Sequence, residues 1–391
     1  MNYDVIIIGG GASGLACAVR LLQSNRNLKV ALFEGGERLG KKLASTGNGQ
    51  GNISNLEMTR EHFHGGNVNL VEKIACTNPY AGATLFDCLF TADEKGRIYP
   101  AGKQASALVD GLIKAVRSSN NACIKSGCKI KSIEKTENGF IIEDNGGVKY
   151  TSKFVVMCTG GKAQKQYGTD GSSYNLVLQF GHKLTPLYPS LVQLKTETKY
   201  IKTLKGIRAD CAVSAIIGGK CVKTVRGDVI FTEYGVSGNA IFSISSCVTD
   251  KPEAVLSLEF LPDFSVKEIE KSISAKKKAG WEKSELLSGT LHNQIGRAII
   301  SRAATDCPTE IVKILKNFTL PVLGTLGFDY AQVTRGGIDM RDITDELESM
   351  LTQNMFFAGE ILDVDGDCGG YNLQWAFTSG MAVADAILKR V

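Results

Sequence analysis

Ten residues near the start of the chain constrain it more than any other stretch. Residues 5–8, Val-Ile-Ile-Ile, run straight into Gly9-Gly-Gly11-Ala-Ser-Gly14. A continuous branched apolar run is what a strand buried on both faces of a parallel sheet requires. In the following turn Gly9 permits the tight reversal, Gly11 lets the backbone approach a pyrophosphate, and Gly14 lets the next helix pack closely. That helix is expected from Ala12 to Ser24, with Leu15, Val19 and Leu22 at helical spacing. Its N-terminus, at Ala12 and Ser13, offers amides and the positive end of a dipole to phosphate. A second strand over residues 29–33 ends at Glu34, 20 residues past Gly14, where an acid takes a ribose hydroxyl. A lone glycine pattern is weak evidence. Strand, turn, helix, strand and acid in this order is strong.

The far end of the chain supplies a second half-site. Residues 355–377 contain an apolar run, Gly359-Glu360, then Gly369-Gly370-Tyr371-Asn372-Leu373 opening a helix. The first motif alone leaves the dinucleotide open. Joined to this distal segment it points to FAD, which is long enough to need both ends. Gly359-Glu360 suits the pyrophosphate or ribityl chain. Gly370 and the helix start suit the N1–C2 edge of the flavin, where negative charge gathers on reduction. The loop over residues 47–55 offers backbone N–H groups and amide side chains to the isoalloxazine edge.

At 391 residues the prior is two or three domains. No apolar run reaches transmembrane length, so a protein with no membrane association is expected. The chain opens on a buried strand without a basic leader or cleavage site, which points to the cytoplasm. Its 11 cysteines form no Cys-x-x-Cys pair, and Cys158 and Cys211 read as free buried thiols. No metal site is expected, and of two readings for His62 and His64, one face of a strand or a surface loop, the loop is preferred. The charge of +5 is modest and spread out, so no nucleic-acid partner is expected. A small-molecule substrate is the partner implied; oligomeric state is not legible.

The middle of the chain changes character twice. Residues 153–157 read as another buried strand, followed by Cys158-Thr159-Gly160-Gly161, and residues 130–150 carry hairpin signatures. From 190 to about 262 the pattern is mostly β, with a first strand expected over 191–194; residues 264–317 read as helical, and 321–339 return to extended structure. The expected class is α/β, with a nested insertion. Residues 1–188 and 338–391 form the nucleotide-binding domain, 189–263 and 319–337 a β domain, and 264–318 a helical domain.

These residues together resemble a family of bacterial flavoproteins that includes aminoacetone oxidase-like enzymes and BaiN-type bile-acid reductases. The resemblance runs nearly end to end. It is carried by residues 9–14, by Gly40-Lys-Lys-Leu-Ala-Ser-Thr-Gly-Asn-Gly-Gln-Gly-Asn-Ile-Ser-Asn55, and by Gly96-Arg-Ile-Tyr-Pro100. Further matches are Thr159-Gly-Gly161, Phe231-Thr-Glu-Tyr-Gly-Val-Ser-Gly238, Val333-Thr-Arg-Gly-Gly-Ile338 and residues 357–377. It departs at Gln50-Gly51, Glu233 and Asn239, where many members have Arg-Cys, His and Pro. The resemblance implies a Rossmann-type FAD-binding domain of the glutathione-reductase kind, with a β-barrel-like substrate domain and a helical cap. It implies flavin contacts from Ser45, Thr46, Gly47, Asn48, Gly49, Asn52, Ile130, Thr159, Gly160 and Gly161. Lys42 reads equally as a phosphate ligand or as half of an exposed lysine pair.

The resemblance places Glu233, Tyr234 and Ser237, on a strand-to-helix turn, near the active cavity as catalytic candidates. Arg97 and Tyr99 are candidates for substrate or flavin contact, and Cys368 for redox activity. No second glycine fingerprint follows, so NADH or NADPH must dock transiently. The reading reached is NAD(P)H-driven reduction of a conjugated C=C bond in a mid-sized apolar, steroid- or bile-acid-like substrate. Two alternatives stay open: a peroxide-producing oxidase of a small amine or aminoketone, and a non-catalytic FAD scaffold.

Overall fold

The computed structural model describes residues 1–85 and 88–391. The chain divides into two compact units, Met1–Tyr188 with Val333–Val391, and Pro189–Gln332.

The first unit is built on a seven-stranded sheet. Its order is Ala122–Lys125, Val30–Phe33, Asn2–Ile8, Lys149–Met157, Gly139–Asp144 and Ile130–Thr136, with Met355–Phe357 also paired to Lys149–Met157. Lys149–Met157 changes partner along its length. Residues 149–152 run antiparallel to Gly139–Asp144, and residues 155–157 run parallel to Met355–Phe357. The register aligns the carboxyl ends of four neighbouring parallel strands, because Phe33 pairs with Ile8, Ile8 with Met157, and Met157 with Phe357. These strands consist almost wholly of buried aliphatic and aromatic residues, as burial on both faces demands. The helices Ala12–Ser24 and Tyr371–Leu388 pack together over the sheet. Gly380 makes this contact possible: a Cβ there would stand 2.3 Å from the Ser13 carbonyl oxygen.

The second unit contains a closed antiparallel barrel. Its strands, in order, are Leu194–Thr196, Gly235–Ser237, Lys220–Phe231, Arg208–Ile217, Val255–Phe260 and Phe318–Thr325. Closure leaves no free sheet edge. The helices Asn239–Val248, Val266–Lys278, Asn293–Arg302 and Pro308–Lys316 share one apolar core with it, in which Ile244, Ile273, Ile299 and Leu315 meet Val213, Leu256 and Phe318. A capping box at Ser265 and Glu268 starts Val266–Lys278. In the lysine run over residues 276–278, Lys276 turns its ammonium onto the Ser288 carbonyl at 2.6 Å. The first barrel strand begins later than expected, at Leu194, because Leu191 takes a left-handed conformation (φ 52°).

Two further differences from the sequence reading bear on function. His64 lies on a strand, Phe63–Gly65, paired with Val364–Gly366, and His62 closes the short turn Arg60–His62; the surface-loop reading is corrected. Glu233 and Tyr234 occupy a bend between two barrel strands, Lys220–Phe231 and Gly235–Ser237, rather than a strand-to-helix turn. Only Ser237 stands just before a helix.

Candidate functional site

The aligned strand ends of the first unit gather the motif segments. Gly9, Glu34, Cys158 and Ala358 each follow directly on a strand end. In open α/β sheets, ligands bind outside the carboxyl ends of the strands.

The three glycines of the first turn have different physical reasons. A Cβ on Gly9, whose φ is 110°, would lie 2.2 Å from the Cys158 carbonyl oxygen, and one on Gly14 would lie 1.9 Å from that of Gly9. Both are therefore required by the protein's own packing. A Cβ on Gly11 would meet nothing within 4 Å. Gly11 caps the helix with φ −79°, a value open to any residue. No side chain caps that helix, and its first turn holds no acid. The absence of a side chain at Gly11 has no internal cause, while the helix end beside it is left available to an anion.

Glu34 is held beside this turn. One carboxylate oxygen accepts from the Gly10 amide at 2.8 Å, the other from the Gly36 amide at 2.7 Å. An ionised carboxylate has about four acceptor positions, so capacity remains for a ribose hydroxyl. The segment entering Ile130 is tied to the same acid, since the Cys128 amide donates to the Glu34 carbonyl at 2.8 Å.

The distal motif meets the first. The Gly359 amide donates to Ser379 Oγ at 2.9 Å, and Trp375 Nε1 donates to its carbonyl at 3.2 Å. Glu360 is half-buried; it pairs with Lys42 Nζ at 2.7 Å and accepts from the Thr334 amide at 2.8 Å. Thr334 Oγ1 accepts in turn from the amides of Lys162 and Ala163. A Cβ on Gly161 would strike that Thr334 hydroxyl at 2.5 Å. The Lys42–Glu360 pair and the Thr334 clasp were not read from the sequence, since pairing over such separations leaves no local signal.

The turn before the last helix is equally constrained. Gly370, with φ 105°, caps Tyr371–Leu388 without a side-chain hydrogen bond. A Cβ there would come within 2.3 Å of the Ser54 carbonyl oxygen. Asn55 Nδ2 donates to the Gly369 carbonyl at 3.1 Å. Asn372 spends its amide on the backbone of Gly366, accepting from N and donating to O at 2.8 Å each. Its role here is to close the turn. Tyr371 is buried against His62 and Phe63, and Leu373 packs partly on the core. In the loop over residues 45–52, the Ser45 and Thr46 hydroxyls both donate to the Lys42 carbonyl. Gly47, Asn48 and Gly49 take left-handed conformations, and a Cβ on Gly49 would meet nothing.

Two buried oxygens at this site, Asn52 Oδ1 and Thr159 Oγ1, have no hydrogen-bond partner among the described residues. Leaving such groups unsatisfied costs roughly 1–3 kcal/mol each. Both are acceptors, and FAD carries matching donors at N3 and on its hydroxyls. The open space at Gly11, the available helix ends and these oxygens fit FAD.

Cys368 lies in the same turn, but burial raises its thiol pKa against the pull of Arg97. It is held as a thiol, which weakens the case for it as a redox nucleophile. Arg97 is engaged by Asp93, and Tyr99 is buried beneath the Arg97 and Lys103 cations.

The three catalytic candidates belong to the second unit. Glu233 is exposed and ion-paired to Lys205, which holds its carboxyl below the usual range. Tyr234 is half-buried, and burial raises its phenol. Ser237 ends a barrel strand and is partly buried.

Comparison with known proteins agrees with this geometry. The profile of the family described as HI0933-like protein Rossmann domain matches residues 3–386. A Clostridium scindens protein named 3-dehydro-bile acid delta(4,6)-reductase is 31% identical over 98% of each chain. A Haemophilus influenzae protein named ribosomal RNA dihydrouridine synthase is 28% identical, again over 98% of each. A flavocytochrome c3 fumarate reductase in its open conformation shares the fold, with a TM-score of 0.52 at 12% identity, covering 99% of this chain and 78% of that one. The chain is an FAD-dependent oxidoreductase. It belongs to the HI0933-like family. No helix among the described residues is long and apolar enough to cross a membrane.

Proposed function

We propose that this protein reduces a C=C bond conjugated to a carbonyl, with NADH or NADPH as electron donor and a steroid- or bile-acid-like enone as substrate. The convergence of both half-sites on the aligned strand ends supports the reading, because it gathers the FAD motifs in one place, and the sequence carries no second glycine fingerprint after them. Bound FAD supplies hydride transfer at N5.

The chain's residues are assigned roles on that basis. The amides at Gly11, Ala12, Ser13 and Gly14 hold the pyrophosphate, and Glu34 the ribose. Glu360 and Lys42 bracket the linking chain. Residues 47–49, Asn52 and the helix start at Gly370 line the flavin edge. Tyr234 is the better candidate to deliver the proton that completes the reduction. Its raised pKa keeps it protonated, whereas Glu233 beside Lys205 is ionised at neutral pH. Glu233→Gln is expected to change turnover less than about twofold, because the exposed pair contributes little. Tyr234→Phe is expected to lower it roughly 10²-fold or more. Steady-state rates with the reducible substrate check both, and equal losses would contradict the assignment.

The names of the two relatives favour this reaction class, since a 3-oxo-4,6-diene and a uracil ring both carry a C=C bond conjugated to a carbonyl. The second name also supports a second reading, a uridine in RNA. The sequence-based exclusion of nucleic acid rested only on dispersed charge, so that exclusion is not carried forward. The decisive experiment supplies reduced enzyme, under anaerobic conditions, with a 3-oxo-4,6-diene bile acid or with uridine-containing ribosomal RNA. Loss of the dienone ultraviolet band with flavin reoxidation supports the first reading, and dihydrouridine formation the second. In a parallel aerobic assay, reduction of the flavin by a small amine with hydrogen peroxide formed from oxygen, and no turnover of either acceptor, would contradict both and favour an oxidase. A flavin that no donor or substrate reduces would favour a scaffold.

A further inference from the structure

Two histidines absent from the assignments above converge on the turn that leads to Gly370. His62 Nδ1 lies 3.2 Å from one oxygen of Asp367, and His64 Nε2 lies 3.1 Å from the other. The Asp367 amide donates to the His62 carbonyl at 2.8 Å. The His62 ring stacks on Tyr371, the first residue of the last helix, with centroids 4.2 Å apart and planes 18° apart. The strand pairing of Phe63–Gly65 with Val364–Gly366 fixes this arrangement. All three side chains are partly exposed, so they can exchange protons with water.

We propose that His62, His64 and Asp367 form a proton-loadable clasp on the turn over residues 366–370, positioning residues that make reduction of the flavin easier as pH falls through the histidine range. The proposal rests on the flavin placement argued above. With both imidazoles neutral, each donates one N–H to Asp367 and the group carries one negative charge. One added proton neutralises it, and a second makes it positive. A site that must accept negative charge on reduction gains from both steps.

Other charged and titratable groups lie around the clasp. Asp365 is the cross-strand partner of His64. Glu61 adjoins His62 and is held below its usual range. Glu57 acts on Tyr371, and Arg97 on Cys368. Arg60 and Glu72 form an exposed pair at 3.9 Å. Burial raises both the Tyr371 phenol and the Cys368 thiol. Imidazole is the side-chain type whose ordinary proton uptake falls between about pH 5 and 8.

The test uses FAD-loaded protein and its H62Q/H64Q double variant, reduced with limiting dithionite against an indicator dye from pH 5.5 to 8.5. Glutamine keeps a donor for Asp367 but takes up no proton. In the wild type, the reduced-to-oxidised ratio measured against the dye should bend in the histidine range. At the acid end it should exceed the variant's by roughly three- to tenfold. Parallel curves at full FAD occupancy would overturn the clasp. If the double variant loses FAD, the single variants H62Q and H64Q decide: each should lose part of the bend, and wild-type curves in both would overturn it. A wild-type protein that binds no FAD would instead sink the flavin placement.

Discussion

Gly11→Val should give a folded protein that no longer retains FAD. The expectation follows from what surrounds Gly11. Its φ of −79° suits valine, and a Cβ would meet no protein atom within 4 Å. Replacing glycine at a helix cap costs about 1 kcal/mol, so the melting temperature of the apoprotein should fall by only about 2–4 °C. The branched side chain would nevertheless fill the space beside the open helix end. Losing even one charge-assisted hydrogen bond to phosphate costs about 1.5–3 kcal/mol, or roughly 10- to 150-fold in affinity. Visible absorbance and circular dichroism on the purified variant check this. Wild-type flavin occupancy would refute the placement of the pyrophosphate.

Gly14→Ala should fail in the opposite way, by damaging the fold. One methyl group at Gly14 would stand 1.9 Å from the Gly9 carbonyl oxygen, a backbone atom fixed by the Gly9 amide's bond to Phe33 O at 2.7 Å. The helix cannot tilt away, because its other side is packed against the last helix at Gly380. Overpacking costs about 1–3 kcal/mol, and an approach this short to a backbone atom puts it at about 3 kcal/mol, against about 1 kcal/mol recovered from better helix propensity. The net loss, about 2 kcal/mol, should lower the apoprotein melting temperature by roughly 4–8 °C. An apoprotein as stable as the wild type would contradict the close packing assigned to Gly14. Two glycines three residues apart thus separate cofactor binding from folding.

The contrast also shows what kind of information the sequence carried. The turn, its helix and Glu34 were legible because their constraints act within a single strand–helix–strand unit. The distal Gly359-Glu360 and Gly369-Gly370 segment was legible as a pattern, and the strand register explains why it meets the first: Met157 pairs with both Ile8 and Phe357. Contacts between distant residues were not legible. Lys42 finds Glu360, and His62 and His64 find Asp367, only through the folded sheet. The His-x-His spacing did carry a signal, since alternate residues of a strand share a face; the polar and glycine neighbours of that segment tipped the choice to a loop. The β character of residues 190–262 was legible, but Glu233 and Tyr234 were set on the wrong kind of turn, because the very short strand Gly235–Ser237 has too few residues to show a period.

We propose that this FAD-dependent enzyme takes electrons from a reduced nicotinamide, although its sequence carries no second glycine fingerprint. The most direct measurement is an anaerobic titration of the yellow protein with NADH and then NADPH, followed by its visible spectrum. Bleaching of the flavin band at stoichiometric donor is the predicted result, and it would identify the donor. A flavin band unchanged by excess of both would contradict the account.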